Sequence, residues 1–214
     1  MKTSELIAAL AQADTGPVRL ARPMNRLAAG AAAGVLAAVL ILALWLGFQP
    51  LSAALHASWF WMKAGYSLTV AAVGFLLVTR LARPGTPAGR SWLVVGALAL
   101  AAIWMMAAHT SMRAPADRQA AVWLGSTWRV CPWRILALSA PIYVALTLGL
   151  RRLAPTRLAQ AGAAAGLMAG GLAGAVYGLY CQENTAPFVA IWYTAGFAAS
   201  ALIGALLGPR LLRW

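Results

Sequence analysis

Six long apolar stretches, at roughly 27–48, 59–79, 91–109, 133–150, 158–180 and 186–208, constrain this chain more than any other feature. Each approaches the ~20 residues a helix needs to cross bilayer hydrocarbon, where every backbone N–H and C=O must be bonded within the protein. Strands of a membrane barrel alternate apolar and polar residues over about ten positions. These runs are instead continuously apolar and rich in Ala, Leu and Gly. The expected fold class is an all-α membrane protein with six transmembrane helices. A chain with 62% hydrophobic and only 10% charged residues excludes a single water-soluble core. The first stretch follows about 26 fairly polar residues and is longer than the 7 to 15 of a secretory signal, so it reads as a retained helix. The longest connection, 110–132, has about 23 residues and is too short for a soluble domain. Residues 1–26 therefore form an N-terminal segment and residues 27–214 a six-helix bundle.

Lys and Arg set the orientation, because short basic segments resist translocation. Of the 17 basic residues, one side of a six-helix topology receives Lys2, Arg19, Arg22, Arg26, Arg80, Arg83, Arg90, Arg151, Arg152, Arg157, Arg210 and Arg213. The other receives Lys63, just inside the second helix, with Arg113, Arg118, Arg129 and Arg134 around the long third loop. Both termini are expected in the cytoplasm, in a multi-pass protein embedded in a lipid bilayer. The formal charge of +13 does not point to nucleic acid, since the basic residues cluster at helix ends without stacking aromatics.

On this topology every Cys and His of the chain falls at the outer end. His56, His109, Asp117, Cys131, Cys181 and Glu183 gather there. Two thiols in an oxidising compartment can form a disulfide, and two thiolates beside an imidazole or carboxylate can hold a soft metal, with His56, His109, Asp117 and Glu183 as auxiliary ligands. Neither cysteine has local metal-site spacing. A redox or metal-responsive pair, a structural disulfide and two unrelated small buried residues all remain open, and each histidine also reads as an interfacial residue. No cofactor is implied. Tryptophan follows the same asymmetry: Trp45, Trp59, Trp61, Trp104, Trp123, Trp128, Trp133 and Trp192 lie in the outer half, as an aromatic belt would. Pro115 can start a short interfacial helix running through Asp117 to Leu124 and capping the bundle beside Cys131.

The fifth stretch carries Gly162, Gly166, Gly170, Gly174 and Gly178 at a constant spacing of four, a smooth stripe on one helical face. The sixth offers Gly196, Ser200, Gly204 and Gly208, so the two are expected to pack small face to small face. A self-association face, with Gly30 and Gly34 pairing between protomers of a homo-oligomer, is the alternative. Pro141 is expected to kink the fourth helix. No Asp, Glu, Arg or His lies near the middle of any span, which disfavours a proton-coupled transporter. Enzymatic chemistry is disfavoured too, since only the outer Cys, His and acid set approaches a catalytic constellation.

At the N-terminus, Thr3 or Ser4 can cap a short helix whose positive end Glu5 favours. Leu6, Ile7 and Leu10 form its apolar stripe. Such a short helix is marginal alone and needs a membrane surface or a partner groove; a disordered tail with juxtamembrane arginines is the plainer reading. Residues 15–23 are expected to be extended around Pro17 and Pro23.

Several motifs together resemble one family. They are Met1-Lys-Thr-x-x-Leu-Ile, Pro17-Val-x-x-Leu with Pro23, Gly125-Ser-Thr-Trp-x-x-Cys131 and Arg151-Arg-Leu-Ala-Pro-Thr. Cys181-x-Glu183, Phe188 with Trp192-Tyr193, and Gly208-Pro-Arg-Leu-Leu-Arg complete the set. Over nearly its whole length the chain resembles the NrsF-like negative regulators of sigma F, inner-membrane anti-sigma factors of Gram-negative bacteria. The resemblance implies a protein that holds an extracytoplasmic-function sigma factor at the membrane and releases it under envelope or chemical stress. Carried over by position, it puts Cys131 and Cys181 on the sensing side and residues 1–26 on the sigma-binding side. The apolar residues of that tail, Leu6, Ile7, Leu10, Val18 and Leu20, are then the expected contact residues. A small-solute channel or transporter and a membrane thiol oxidoreductase are the other classes, the latter without a Cys-x-x-Cys pair.

Overall fold

The computed structural model describes residues 3–12, 21–82, 90–153 and 155–213, and these are helical throughout their ordered elements. Ten α-helices occur among the described residues: α1 (Thr3–Gln12), α2 (Ala21–Trp45), α3 (Leu51–Leu55), α4 (Ser58–Leu81), α5 (Arg90–Arg113), α6 (Gln119–Leu124), α7 (Cys131–Leu150), α8 (Leu158–Tyr177), α9 (Ala186–Phe188) and α10 (Thr194–Leu211). Among the described residues six segments are long and apolar enough to cross a membrane, within α2, α4, α5, α7 and α8 and over Ala186–Leu211. The last of these is not one uniform helix. Val189–Tyr193 forms a π-helical turn between α9 and α10, a widening that the apolar pattern does not announce.

The bundle is built around α8, which packs against α10, α4, α7 and α2. Of its membrane segment 67% is buried inside the protein, against 11% for α5, which lies at the periphery beside α4 and α9. Composition explains the difference, because a helix of Ala and Gly lets several neighbours approach its backbone at once. A Cβ on Gly162 would meet the carbonyl of Gly204, and one on Gly166 the carbonyl of Ser200. A Cβ on Gly170 would stand 3.2 Å from the Phe197 Cα, and on Gly174 it would enter the Phe197 ring. The expected seam between the last two spans is therefore present, with two corrections. Gly178 lies beyond the end of α8 and meets only its own turn at Ala175, while Gly196 faces Ile135 of α7.

Other glycines make seams the four-residue spacing does not reveal. Gly171 of α8 meets Ala71 of α4, and Gly74 of α4 meets Met168 of α8, each with backbone atoms 2.5 Å from a built Cβ. Gly30 and Gly34 are used within the chain: their Cβ positions would strike Ala145 and Ile142 of α7, so that face of α2 does not serve a second protomer. α7 continues through Pro141, whose carbonyl lies 3.3 Å from a Cβ built on Gly34, so α2 covers the proline turn.

Because of these backbone contacts, Gly166→Leu is expected to lower stability by at least the ~1–3 kcal/mol typical of overpacking. Gly65→Ala, where nothing lies within 4 Å, should be neutral or slightly stabilising. Thermal unfolding of the two variants in detergent checks the contrast.

Candidate functional site

Chain reversals at one end of the bundle bring together segments far apart in sequence. α2 ends in a turn through Gly47, which has φ 80°. Beyond it Gln49 is buried and donates its side-chain amide to the carbonyl of Gly178 (2.9 Å) and its backbone N–H to Leu179 (3.0 Å). These bonds satisfy carbonyls at the C-terminal end of α8, which have no helical partner. The loop that follows, 178–185, carries Cys181 and Glu183.

Lys63, one and a half turns into α4, is fully buried beneath this loop. Its ammonium donates to the backbone carbonyls of Cys181 (2.5 Å) and Glu183 (2.9 Å) and lies 4.4 Å from the centre of the Trp59 ring. A buried cation costs several kcal/mol unless it is compensated. Here two carbonyls beyond the negative end of α8 and the negative face of an indole supply that compensation. Charge counting treats Lys63 only as a topology signal. The clue available in the sequence is that a lysine inside a span is a functional candidate by default.

Glu183 reaches the other way. Its Oε1 accepts from the backbone N–H of Ser126 (2.7 Å) and Thr127 (3.1 Å) and from both hydroxyls (2.6 and 3.2 Å). Gly125 makes this possible, with φ 59° and Phe188 and Glu183 atoms 2.6–2.7 Å from where a Cβ would sit. Thr185 donates to the carbonyl of Val122 (2.8 Å), and the Trp192 indole to that of Trp123 (3.0 Å). The Trp128 and Trp192 rings pack with centroids 5.2 Å apart and planes tilted by 43°. The Gly125-Ser-Thr-Trp and Cys181-x-Glu183 motifs are thus two halves of one clasp. Its third loop is a 3₁₀ turn at Ala116–Arg118 running into α6, the expected short helix after Pro115.

Inside the clasp sit the two cysteines, both free, with Cys131 0% and Cys181 2% exposed. They share their surroundings. Both lie close to Tyr177 and Tyr193, whose rings are 5.9 Å apart. The two phenol hydroxyls are buried without a hydrogen-bond partner, Tyr177 facing Cys131 and Tyr193 facing Cys181 outside bonding geometry. Burial pushes the Cys181 thiol up from its ordinary range, and the Lys63 charge partly offsets this.

The remaining expected ligands stand elsewhere. His56 caps the short α3, His109 is exposed on α5, and Asp117 is exposed beside Arg118 at 3.9 Å. Among the described residues no three of His, Cys, Asp and Glu group as a metal site, and the Oε1 of Glu183 is already taken by the clasp. In the N-terminal segment, α1 exposes Leu6 (43%) and Ile7 (62%). The Leu10 side chain, Val18 and Leu20 lie outside the described residues.

A family model described as "NrsF: Negative regulator of sigma F" matches residues 10–214. A protein of Caulobacter vibrioides named "Anti-sigma-F factor NrsF" is 42% identical over 217 residues, covering 100% of both chains. One of Azospira oryzae named "Probable anti-sigma-F factor NrsF" is 39% identical over 216 residues, again covering 100% of both. No solved structure matches the chain.

Glu183→Ala would leave the Ser126 and Thr127 donors without their acceptor, a loss of roughly 1–2 kcal/mol at this partly exposed site. It should also speed maleimide labelling of Cys181, read by mass shift in membrane vesicles. In the unaltered protein, iodoacetamide alkylation of Cys181 should be slower than that of a free peptide thiol at neutral pH. It should keep rising where the free thiol has levelled off; matching profiles across about pH 7 to 10 would contradict the burial.

Proposed function

Because this chain belongs to the NrsF family of negative regulators of sigma F, we propose that it is a membrane-embedded anti-sigma factor. In this reading its N-terminal segment captures an extracytoplasmic-function sigma factor in the cytoplasm, and chemistry at the cysteine clasp releases it. The observation that carries the binding side is α1 itself. It is a ten-residue helix, and its Leu6 and Ile7 are left facing outward. So short a helix gains most of its stability from what its apolar face packs against, and a hydrophobic groove on a sigma factor is such a surface. Leu10, Val18 and Leu20 extend the same contact along the segment.

Orientation in this proposal follows the basic residues, with both termini on the cytoplasmic side of the bacterial inner membrane and the clasp on the opposite side. Oxidation of the thiol pair is the favoured signal over metal capture, since two thiols stand without a third ligand among the described residues. Joining Cys131 to Cys181 would pull the 178–185 loop off the Lys63 ammonium or tighten it there. α8 ends where that loop begins, and its glycine seams with α10 and α4 admit few intermediate positions. A signal acts only through its different affinity for two arrangements of such a bundle.

Co-purification tests the binding side. Deleting residues 2–20, or replacing Leu6 and Ile7 together with Asp, should abolish capture of the sigma factor; undiminished capture would sink the assignment. For the signal, Cys131→Ser and Cys181→Ser should each blunt derepression of a sigma-dependent reporter by oxidants, and an unchanged response would make the thiols structural.

A further inference from the structure

The α4–α8 seam is tight where Gly171 meets Ala71 and Gly74 meets Met168. One and two turns further along α4, Leu77 and Leu81 stand across from Ala163 and Leu167 of α8, and a groove of about 350 Å³ lies among them with α10 at its back. Leu77, Ala163 and Leu167 are only half-buried, so the groove opens on the outside of the bundle. Its far end is polar. Arg157 and Gln160 line it there, both exposed, and follow the same helical spacing that brings Ala163 and Leu167 to this face. Among the described residues neither the Arg157 guanidinium nor the Gln160 amide has a hydrogen-bond partner. A second cation stands close by: Arg210 is two residues past Gly208, whose Cβ position would strike the carbonyl of Leu158. The segments around this mouth, 77–90, 150–160 and 204–214, contain no Asp or Glu, so the local field is positive.

We propose that this groove holds an acyl chain of an anionic phospholipid, drawn from the leaflet at the arginine-rich end, with the lipid phosphate on Arg157 and Gln160 donating to a headgroup oxygen. The dimensions fit one leaflet. From Arg157 to Leu167 is ten residues of helix, about 15 Å, half of the ~30 Å of bilayer hydrocarbon. The volume is in the range of small-ligand cavities and far from that of a second protein. A helix is about 10–12 Å across with its side chains, so a matching length from another copy of this chain needs on the order of 1,000 Å³. Charge selects the lipid class. A guanidinium pairs with a phosphate through two parallel hydrogen bonds, and a lipid with a net negative head gains further from the neighbouring arginine, whereas a zwitterionic head carries its own cation. The bound chain supplies α4 and α8 with contacts that a short alanine side chain leaves unmade, so the lipid stabilises this end of the bundle.

The test titrates the full-length protein, purified in detergent, with dioleoyl phosphatidylglycerol or dioleoyl phosphatidylcholine and follows native mass spectra and thermal unfolding. One phosphatidylglycerol per chain should survive activation that strips phosphatidylcholine, and should raise the unfolding temperature where phosphatidylcholine does not. Arg157→Gln should lower phosphatidylglycerol retention several-fold. Arg151→Gln, which changes an exposed arginine that does not line the groove, should alter it little. Ala163→Leu, which fills the groove and keeps the charge, should lower retention as well. Dihexanoyl phosphatidylglycerol has the same head on short chains and should bind several-fold more weakly than the dioleoyl form, which tests the apolar half should Ala163→Leu fail to accumulate. Equal retention of the two dioleoyl lipids, or equal losses in Arg151→Gln and Arg157→Gln, overturns the site in favour of diffuse attraction to a basic surface. Equal binding of the short-chain lipid overturns it in favour of a phosphate site alone, and a dimer whose formation excludes the lipid overturns it in favour of a second copy. Sigma-factor capture enters none of these readouts, so their outcome is independent of the proposed function.

Discussion

Direct backbone contact along α8 is the constraint on which the other helices depend. In lipid there is little hydrophobic gain from bringing one apolar helix to another, so association rests on close packing and on interhelical hydrogen bonds. Gly162 and Gly166 bring α10 against α8 on one side, and Gly171 with Gly74 brings α4 against it on another. α7 closes a third side and carries α2 on its back. With its neighbours held this tightly, α8 cannot rotate or slide without displacing them, which makes its C-terminal end a fixed platform for the loop above it.

Lys63 and Glu183 then hold that loop from opposite directions. The ammonium binds it by its carbonyls from below, within the bundle, and the carboxylate ties it to Ser126 and Thr127 in the neighbouring loop. Neither group is matched by a simple opposite charge at these contacts; each is met by backbone and hydroxyl dipoles that exist only when both loops are in place. Such an arrangement is cooperative, because releasing one segment leaves the other's polar groups unmet in a low-dielectric setting. A chemical change at Cys181, whose own carbonyl binds Lys63, therefore acts on the whole clasp rather than on one side chain.

Much of this was legible along the chain. The six spans, the short helix after Pro115, the α8–α10 seam and the shared end for both cysteines follow from hydropathy, proline placement and residue spacing. The misreadings have a common cause. Gly178 keeps the spacing of its stripe but falls past the helix end, and Gly30 and Gly34 have the look of a dimer face but are taken by α7. Spacing identifies a smooth face and does not say which neighbour occupies it. The charge pattern assigns His56, His109 and Asp117 to the same end as the cysteines, but an assigned end is one coordinate and a ligand set needs three.

By itself the sequence determined how many times the chain can cross a bilayer, which residues lie at which end, and which helix faces are smooth enough for close approach. Those properties come from local composition and from the alternation of apolar runs with basic turns. Only the tertiary structure decided that Lys63 is enclosed rather than reaching for the interface, that Glu183 clasps Ser126 and Thr127 instead of joining a metal site, and that both thiols border the same two tyrosines. Those outcomes depend on the lateral order and rotation of helices. They are set by packing between segments distant in sequence, as in the 118-residue separation of Lys63 from Cys181, which the hydropathy of any one segment does not record.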